Sequence, residues 1–166
     1  MVITKIEAQK KKGRYNIYLN DAFAFGVDEA TVVKYALFKG TELTKEQIEE
    51  IKHDDCIQQA YQKALHFLNF KLRSTKEVYE KLEKLEFDED IINEVLGKLH
   101  EQNFINDTFY AESYLNQAKF VTFKGPKSVV FDLQKKGISD KVIQTVLEGY
   151  TLREQLENAI QIAQSY

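Results

Sequence analysis

The 166-residue sequence contains one proline, one cysteine, one methionine, no tryptophan and seven glycines. A lone proline excludes a proline-rich spacer and so few glycines exclude a glycine-rich hinge, so the chain is expected to be almost continuous secondary structure. The single Cys56 excludes an internal disulfide, and the start, Met1-Val2-Ile3-Thr4-Lys5, lacks the basic-then-apolar layout of a secretory signal. A reducing, cytoplasmic setting is expected. Charges interrupt every apolar run, so none approaches the roughly 18 residues a membrane span requires, and no membrane partner is expected. Neither sign of charge dominates: 23 Lys and Arg against 26 Asp and Glu give a formal net charge of -3. That balance argues against affinity dominated by phosphate neutralisation, while a local basic face stays open. The remainder, 43% hydrophobic and 30% charged, is the composition of a compact, helix-rich protein with room for one large domain or two small ones.

Apolar residues fall at every second position in the first 27 residues: Val2, Ile6 and Ala8, then Tyr15, Ile17 and Leu19, then Phe23, Phe25 and Val27. With Gly13 and Asn20-Asp21 as turns, this predicts a three-stranded antiparallel meander. Asp28 is expected to cap a short helix reaching about Leu37, with Gly40 as its left-handed stop, and Thr44 with Gln47 forms a capping box for the next helix. From about residue 45 the period is helical. Cys56, Ile57, Ala60, Tyr61, Ala64, Leu65 and Leu68 share one face of a helix running to about Phe70. Ser74 and Glu77 make a second capping box with Val78, Leu82 and Leu85 on the buried side, and Asp88 caps a helix buried through Ile91, Ile92, Val95, Leu96 and Leu99.

Sliding the sequence against itself by 51 residues brings Val78 onto Val129, Leu82 onto Leu133, Ile91 onto Val142, Ile92 onto Ile143, Val95 onto Val146 and Leu96 onto Leu147. The punctuation matches too: Ser74 falls on Gly125, which precedes Pro126 at a first helical position, and Asp88 falls on Ser139. The expected fold is mainly α: tandem three-helix repeats in an elongated, curved stack behind the small β-meander. Its expected parts are an N-terminal segment 1–54, repeats at 55–105 and 106–150, and at 151–166 the first helix of an incomplete third repeat, opened by a Thr151–Glu154 capping box. That helix carries Leu152, Leu156, Ala159, Ile160 and Ala163, so it either docks its stripe on the second repeat or belongs to a C-terminally truncated chain.

Catalytic chemistry is not expected. His53, His66 and His100 stand in no metal spacing, and no phosphate-cradling loop or nucleophile elbow occurs. The acids Asp88-Glu89-Asp90 suit the first turn of a helix through its dipole. No enzyme, cofactor or metal is expected. The aromatics Phe67, Phe70, Phe104, Phe109, Tyr110, Tyr114, Phe120 and Phe123 fall mostly at core spacing or at helix corners, so packing is favoured over base stacking. The basic residues are more suggestive. Lys71 and Arg73 precede the middle helix of the first repeat and Lys119 and Lys124 that of the second; Lys76 coincides with Lys127, and Lys84 with Lys135, at the 51-residue offset. Together they form a candidate discontinuous basic stripe for a partner or nucleic acid. Pairing of these cations with Glu77, Glu80 and Asp132 on an ordinary solvated face is the competing reading.

The run Leu72-Arg73-Ser74, then Leu99-His100-Glu101-Gln102-Asn103-Phe104-Ile105-Asn106-Asp107, and later Gly125-Pro126 with Lys136-Gly137-Ile138 resembles the RecX family of recombination regulators. The resemblance covers about residues 56–150, and the strand-bearing N-terminal segment is similar to that of the longer Gram-positive members. It implies three tandem three-helix repeats and a protein that binds the RecA filament on single-stranded DNA along its groove. There such proteins inhibit RecA recombinase, ATPase and coprotease activity, with a bearing on DNA repair, recombination and the SOS response. Two departures stand out: the third repeat stops after one helix, and Lys124-Gly125 replaces Arg73-Ser74. A stand-alone DNA-binding module of helix-turn-helix-like units, or an adaptor for another protein, remains open from the residues alone.

Overall fold

A computed structural model of the chain describes residues 1–165, and the last residue expected in the terminal helix, Tyr166, lies outside them. The chain is mainly helical, with an N-terminal three-stranded antiparallel sheet preceding the helices in sequence, in agreement with the expected fold class. It divides into two compact units, Met1–Gln62 and the residues from Lys63 on.

In the first unit, β1 (Ile3–Ala8), β2 (Arg14–Leu19) and β3 (Ala22–Asp28) form an antiparallel meander in the order β1-β2-β3. The β2–β3 turn places Asn20 at φ 49° and Asp21 at φ 68°, the positive angles that Asn and Asp tolerate best among residues with a Cβ. Two register shifts correct the strict alternation read from the sequence. One, between Ile3 and Lys5, makes Ile3 the fully buried residue of β1 and leaves Ala8 exposed. The other, between Ile17 and Tyr18, turns Phe23 out to solvent, where its ring meets Tyr18 edge to face at 5.9 Å. Such irregularities shift the two-residue period by one and swap faces.

Helix α1 (Glu29–Lys34) is shorter than expected: it closes through Ala36 at φ 48°, and Leu37 N–H returns to Val32 O, so Gly40 is not its stop. Asp28 sits at its N-cap without a side-chain cap bond, because its carboxylate is taken by Arg14 Nη1 at 2.9 Å. The capping box at Thr44 and Gln47 forms and opens α2 (Lys45–Leu68), which continues unbroken to its end. Asp55 lies on the α2 stripe begun by Ile48 and Ile51, and the residue is 3% exposed. It accepts hydrogen bonds from Asp28 N–H, Thr31 Oγ1 and Gln59 Nε2 and pairs with Arg14 Nη1 at 3.1 Å. Four donors are what a buried carboxylate needs, so Asp55 fastens β2, the start of α1 and α2 around the core of Ile3, Ile17, Phe25, Val27, Ile48 and Ile51.

In the second unit, α3 (Thr75–Lys84) and α4 (Glu89–Glu101) form one packed pair, and α6 (Pro126–Lys135) and α7 (Asp140–Leu147) another. Between them lies α5 (Asp107–Gln117), extended by a π-helical turn at Ala118–Thr122, and α8 (Leu152–Gln164) comes last. The 51-residue offset is reproduced at the C-terminal ends of α3 and α6. Phe87 N–H bonds to Leu82 O, and Ile138 N–H to Leu133 O; the residues before them, Glu86 and Gly137, sit at φ 65° and 77°. These are matched left-handed helix stops. Val78 and Val129, Leu82 and Leu133, and Ile92 and Ile143 are buried in pairs.

Several details differ from expectation. Leu85 is partly exposed because α3 has already ended, and Asp88 occupies the α4 N-cap without a side-chain cap bond. Helix α8 forms with its Thr151–Glu154 capping box, but it does not dock its stripe: Leu152 is 83% and Leu156 64% exposed, and its buried residue is Asn158. Asn158 Nδ2 donates to Tyr150 Oη at 2.7 Å, so a polar contact, not the apolar stripe, holds this helix.

Candidate functional site

The eight candidate cations fall into two groups. Four are tied into the fold. Arg73 lies over the Phe67 ring, Cζ 3.8 Å from the centroid, with Nη1 3.8 Å from Glu77 Oε2. Its equivalent at the 51-residue offset, Lys124, donates to Asp132 Oδ2 at 2.7 Å and to Tyr114 Oη at 3.2 Å. Lys119 is nearly covered, donating to Gly149 O at 2.5 Å and pairing with Glu154 at 3.1 Å. Lys76 rests its stem on Gly137, donates to Lys135 O at 3.3 Å and reaches Glu80 at 3.9 Å. The other four, Lys71, Lys84, Lys127 and Lys135, are exposed, with no ion pair among the described residues. Pairing with Glu77, Glu80 and Asp132 thus accounts for Arg73, Lys76 and Lys124.

A cleft of about 400 Å³ opens between Lys71 and Leu72 on one side and Tyr110, Tyr114 and Gln117 of α5 on the other, with Lys136 at its edge. Beside it, burial works to raise the Glu77 carboxyl, but the Ser74 backbone bond and the charges of Lys136, Arg73 and Lys71 outweigh it and hold Glu77 below its ordinary value. Burial, with the neighbouring Glu77 carboxylate, pushes Tyr110 up to about 12. Near neutral pH Glu77 is therefore ionised and Tyr110 protonated. Neither is poised to exchange a proton near neutral pH. The same holds for Asp132, kept below its usual range by hydrogen bonds from Lys124 and Tyr114.

The motif residues have structural explanations. Asn106 caps α5 by accepting from Phe109 N–H at 3.0 Å, while Asp107 Oδ1 reaches back to accept from Thr75 N–H at 2.8 Å and Thr75 Oγ1 at 2.9 Å. Ile105, just before them, is buried. Pro126 opens α6, where its missing N–H costs nothing. Gly137 combines a positive φ with a close approach: a Cβ there would stand 2.6 Å from Lys76 Cβ.

The aromatics correct the sequence reading. Phe70, Phe104, Phe109 and Phe120 are more than half exposed, and each sits near a helix end or in the π-helical turn. Phe67, Tyr110, Tyr114 and Phe123 are half-buried as expected. Sequence reasoning passed over Phe131, 57% exposed on α6 with Lys135 Nζ 4.8 Å from its ring centroid. The signal that would have found it is its equivalent at the 51-residue offset, a glutamate, Glu80.

Known proteins agree with this architecture. Residues 1–44 match the model of the regulatory protein RecX N-terminal domain, and residues 60–99 the model of the first three-helix domain of RecX. Regulatory protein RecX of Leuconostoc mesenteroides is 45% identical over 161 residues, covering 97% of this chain and 60% of that protein. Its namesake from Listeria monocytogenes serotype 4a is 41% identical over 160 residues, covering 96% and 60%. The chain therefore spans about 60% of the length of these curated relatives. A crystal structure of regulatory protein RecX superposes with a TM-score of 0.80 at 37% identity, covering 99% of this chain and 81% of that one. The crystal structure of RecX from Lactobacillus salivarius gives 0.64 at 39% identity, covering 68% and 73%. Fold and sequence together define a class of protein in which a small N-terminal sheet is followed in the chain by helical domains. The chain belongs to the RecX family. No helix among the described residues is long and apolar enough to cross a membrane.

Proposed function

We propose that this chain is a non-enzymatic, cytoplasmic regulator that binds the RecA filament on single-stranded DNA and inhibits RecA recombinase, ATPase and coprotease activity without a cofactor. The observation that carries the reading is the match to regulatory protein RecX across 99% of the chain in both sequence and fold. In this reading residues 55–105 and 106–150 are two three-helix repeats and 151–166 opens a third. The exposed ammonium groups of Lys71, Lys84, Lys127 and Lys135 are the charge such a partner meets, and regulation by contact needs no acid–base chemistry.

The test is single-stranded-DNA-dependent ATP hydrolysis by RecA, followed while the 166-residue chain is titrated in. Inhibition that saturates at or below one chain per RecA monomer is expected. An unchanged rate at equimolar chain overturns the proposal.

A further inference from the structure

The α3 and α6 helices have the same length, bury the same positions and stop the same way, yet their solvent faces carry different charge: α3 holds three lysines and three glutamates, α6 two lysines and one aspartate, Asp132, which stands where α3 has Lys81. At the 51-residue offset Lys76 and Lys84 recur as Lys127 and Lys135. Every glutamate of the α3 face is replaced by an uncharged residue: Glu77 by Ser128, Glu80 by Phe131, Glu83 by Gln134. The one acid within α6, Asp132, is engaged with Lys124 and Tyr114. What remains exposed is a column on one side of the helix, Lys127, Phe131 and Lys135, at successive spacings of four residues. Its ends lie about 12 Å apart along the axis, with the ring midway.

We infer that this face of α6 is a direct contact site for single-stranded nucleic acid, Phe131 stacking on an unpaired base and Lys127 and Lys135 meeting the phosphates on either side. An exposed aromatic ring flanked by two lysines that make no ion pair among the described residues, one of them lying over the ring and within the field of Asp132, has the composition of a single-strand platform, in which stacking gives sequence-tolerant affinity and the cations track the backbone. A duplex keeps its base faces stacked away from such a ring. Lys135 over the Phe131 ring is already placed to reach the phosphate beside a stacked base. A net charge of -3 on the whole chain does not oppose this, since charges more than about 10 Å away are screened at moderate salt. The inference goes beyond the filament proposal because it requires no RecA.

The experiment is fluorescence anisotropy of a labelled oligothymidylate of about 30 nucleotides with the full chain, in the absence of RecA, across a salt series. Phe131→Ala is expected to weaken binding about 10-fold. Lys127→Glu combined with Lys135→Glu is expected to weaken it at least as much and to flatten the log–log salt slope by about 1.4. Lys39→Glu, an exposed lysine of the first unit that serves as the control, is expected to stay within about twofold of the parent. All four substituted positions are exposed, and circular dichroism checks that each variant is folded. Absence of binding by the parent at low salt, or Phe131→Ala binding like the parent, overturns the inference. So does strand binding that persists in the variants while RecA inhibition is lost, which would assign the face to a protein. Strand binding that falls as expected, in a chain that never inhibits RecA, upholds this site and sinks the filament proposal instead.

Discussion

The helix pairs α3–α4 and α6–α7 carry matched buried residues and matched stops, but they are anchored and decorated differently. The first helix of the first pair, α3, is opened by a full capping box, Ser74 with Glu77, and closes through a glutamate forced to φ 65°. In the second pair, α6 has no side-chain cap at Gly125, only Pro126 at the first turn, and closes through a glycine. Ahead of each helix the equivalent cation turns inward by a different device: Arg73 stacks on Phe67, whereas Lys124 is held by Asp132 and Tyr114. Burial tolerates little variation because a core position must fill its space. Caps, stops and surface charge can be exchanged at about 1 kcal/mol apiece, which leaves them open to divergence toward different tasks.

The largest effect should fall on what the pairs share. Leu82→Ala and Leu133→Ala each remove a fully buried side chain and should cost about 2–5 kcal/mol in urea unfolding. Costs differing by more than about 2 kcal/mol would mean that matched burial does not reflect matched packing. Next are the stops. Gly137→Ala forces a Cβ into positive φ and against Lys76, and should cost about 2 kcal/mol, whereas Glu86→Gly relieves a strained residue and should stabilise by about 0.5 kcal/mol. The same sign from both would break the equivalence of the two stops. Ser74→Ala should cost about 1 kcal/mol and Gly125→Ser gain a few tenths, read as opposite shifts in melting temperature.

Acid should separate the pairs further. Asp132 binds a proton less readily in the folded chain than in the unfolded one, so its contribution is complete above about pH 4 and is lost as pH falls through its lowered value. Asp132→Asn should therefore be less stable near neutrality and lose less on acidification, in unfolding curves measured between about pH 6 and 3. If parent and variant lose stability in parallel, the Lys124–Asp132 pair contributes nothing. The smallest effect tests the surface contrast: Glu80→Phe with Glu83→Gln gives α3 the exposed ring and removes two of its three glutamates, and should tighten oligothymidylate binding about threefold.

Periodicity and local chemistry made much of the fold legible in the sequence. The meander, the helix pairs and the capping boxes at Thr44, Ser74 and Thr151 could be read because two-residue and 3.6-residue periods and hydroxyl–Glu or hydroxyl–Gln spacings are local signals. The hidden parts depend on residues distant in the chain. No local rule says that Arg14 will claim the carboxylate of Asp28, that Asp55 will satisfy four donors, or that a register shift will turn Phe23 outward. The candidate cations show both sides. Their inventory was readable, but which were spent on internal pairs required the fold. Phe131 stayed hidden for another reason: the 51-residue offset displays first the residues that the segments share, and the loss of three glutamates is visible only in where they differ.

The reach of Asp107 back to Thr75 has a thermodynamic consequence. The first residue of α5 supplies acceptors to the first turn of α3, and Lys76, in that same turn, rests on the glycine that ends α6. One turn of one helix is thus a shared tenant of both pairs, and neither can fray there without exposing the other. In a row of helical modules, nearest-neighbour terms of this kind decide whether melting proceeds module by module or all at once. The second unit should accordingly behave as a single cooperative block, in which amides of α3 and α6 exchange their hydrogens through a common opening event.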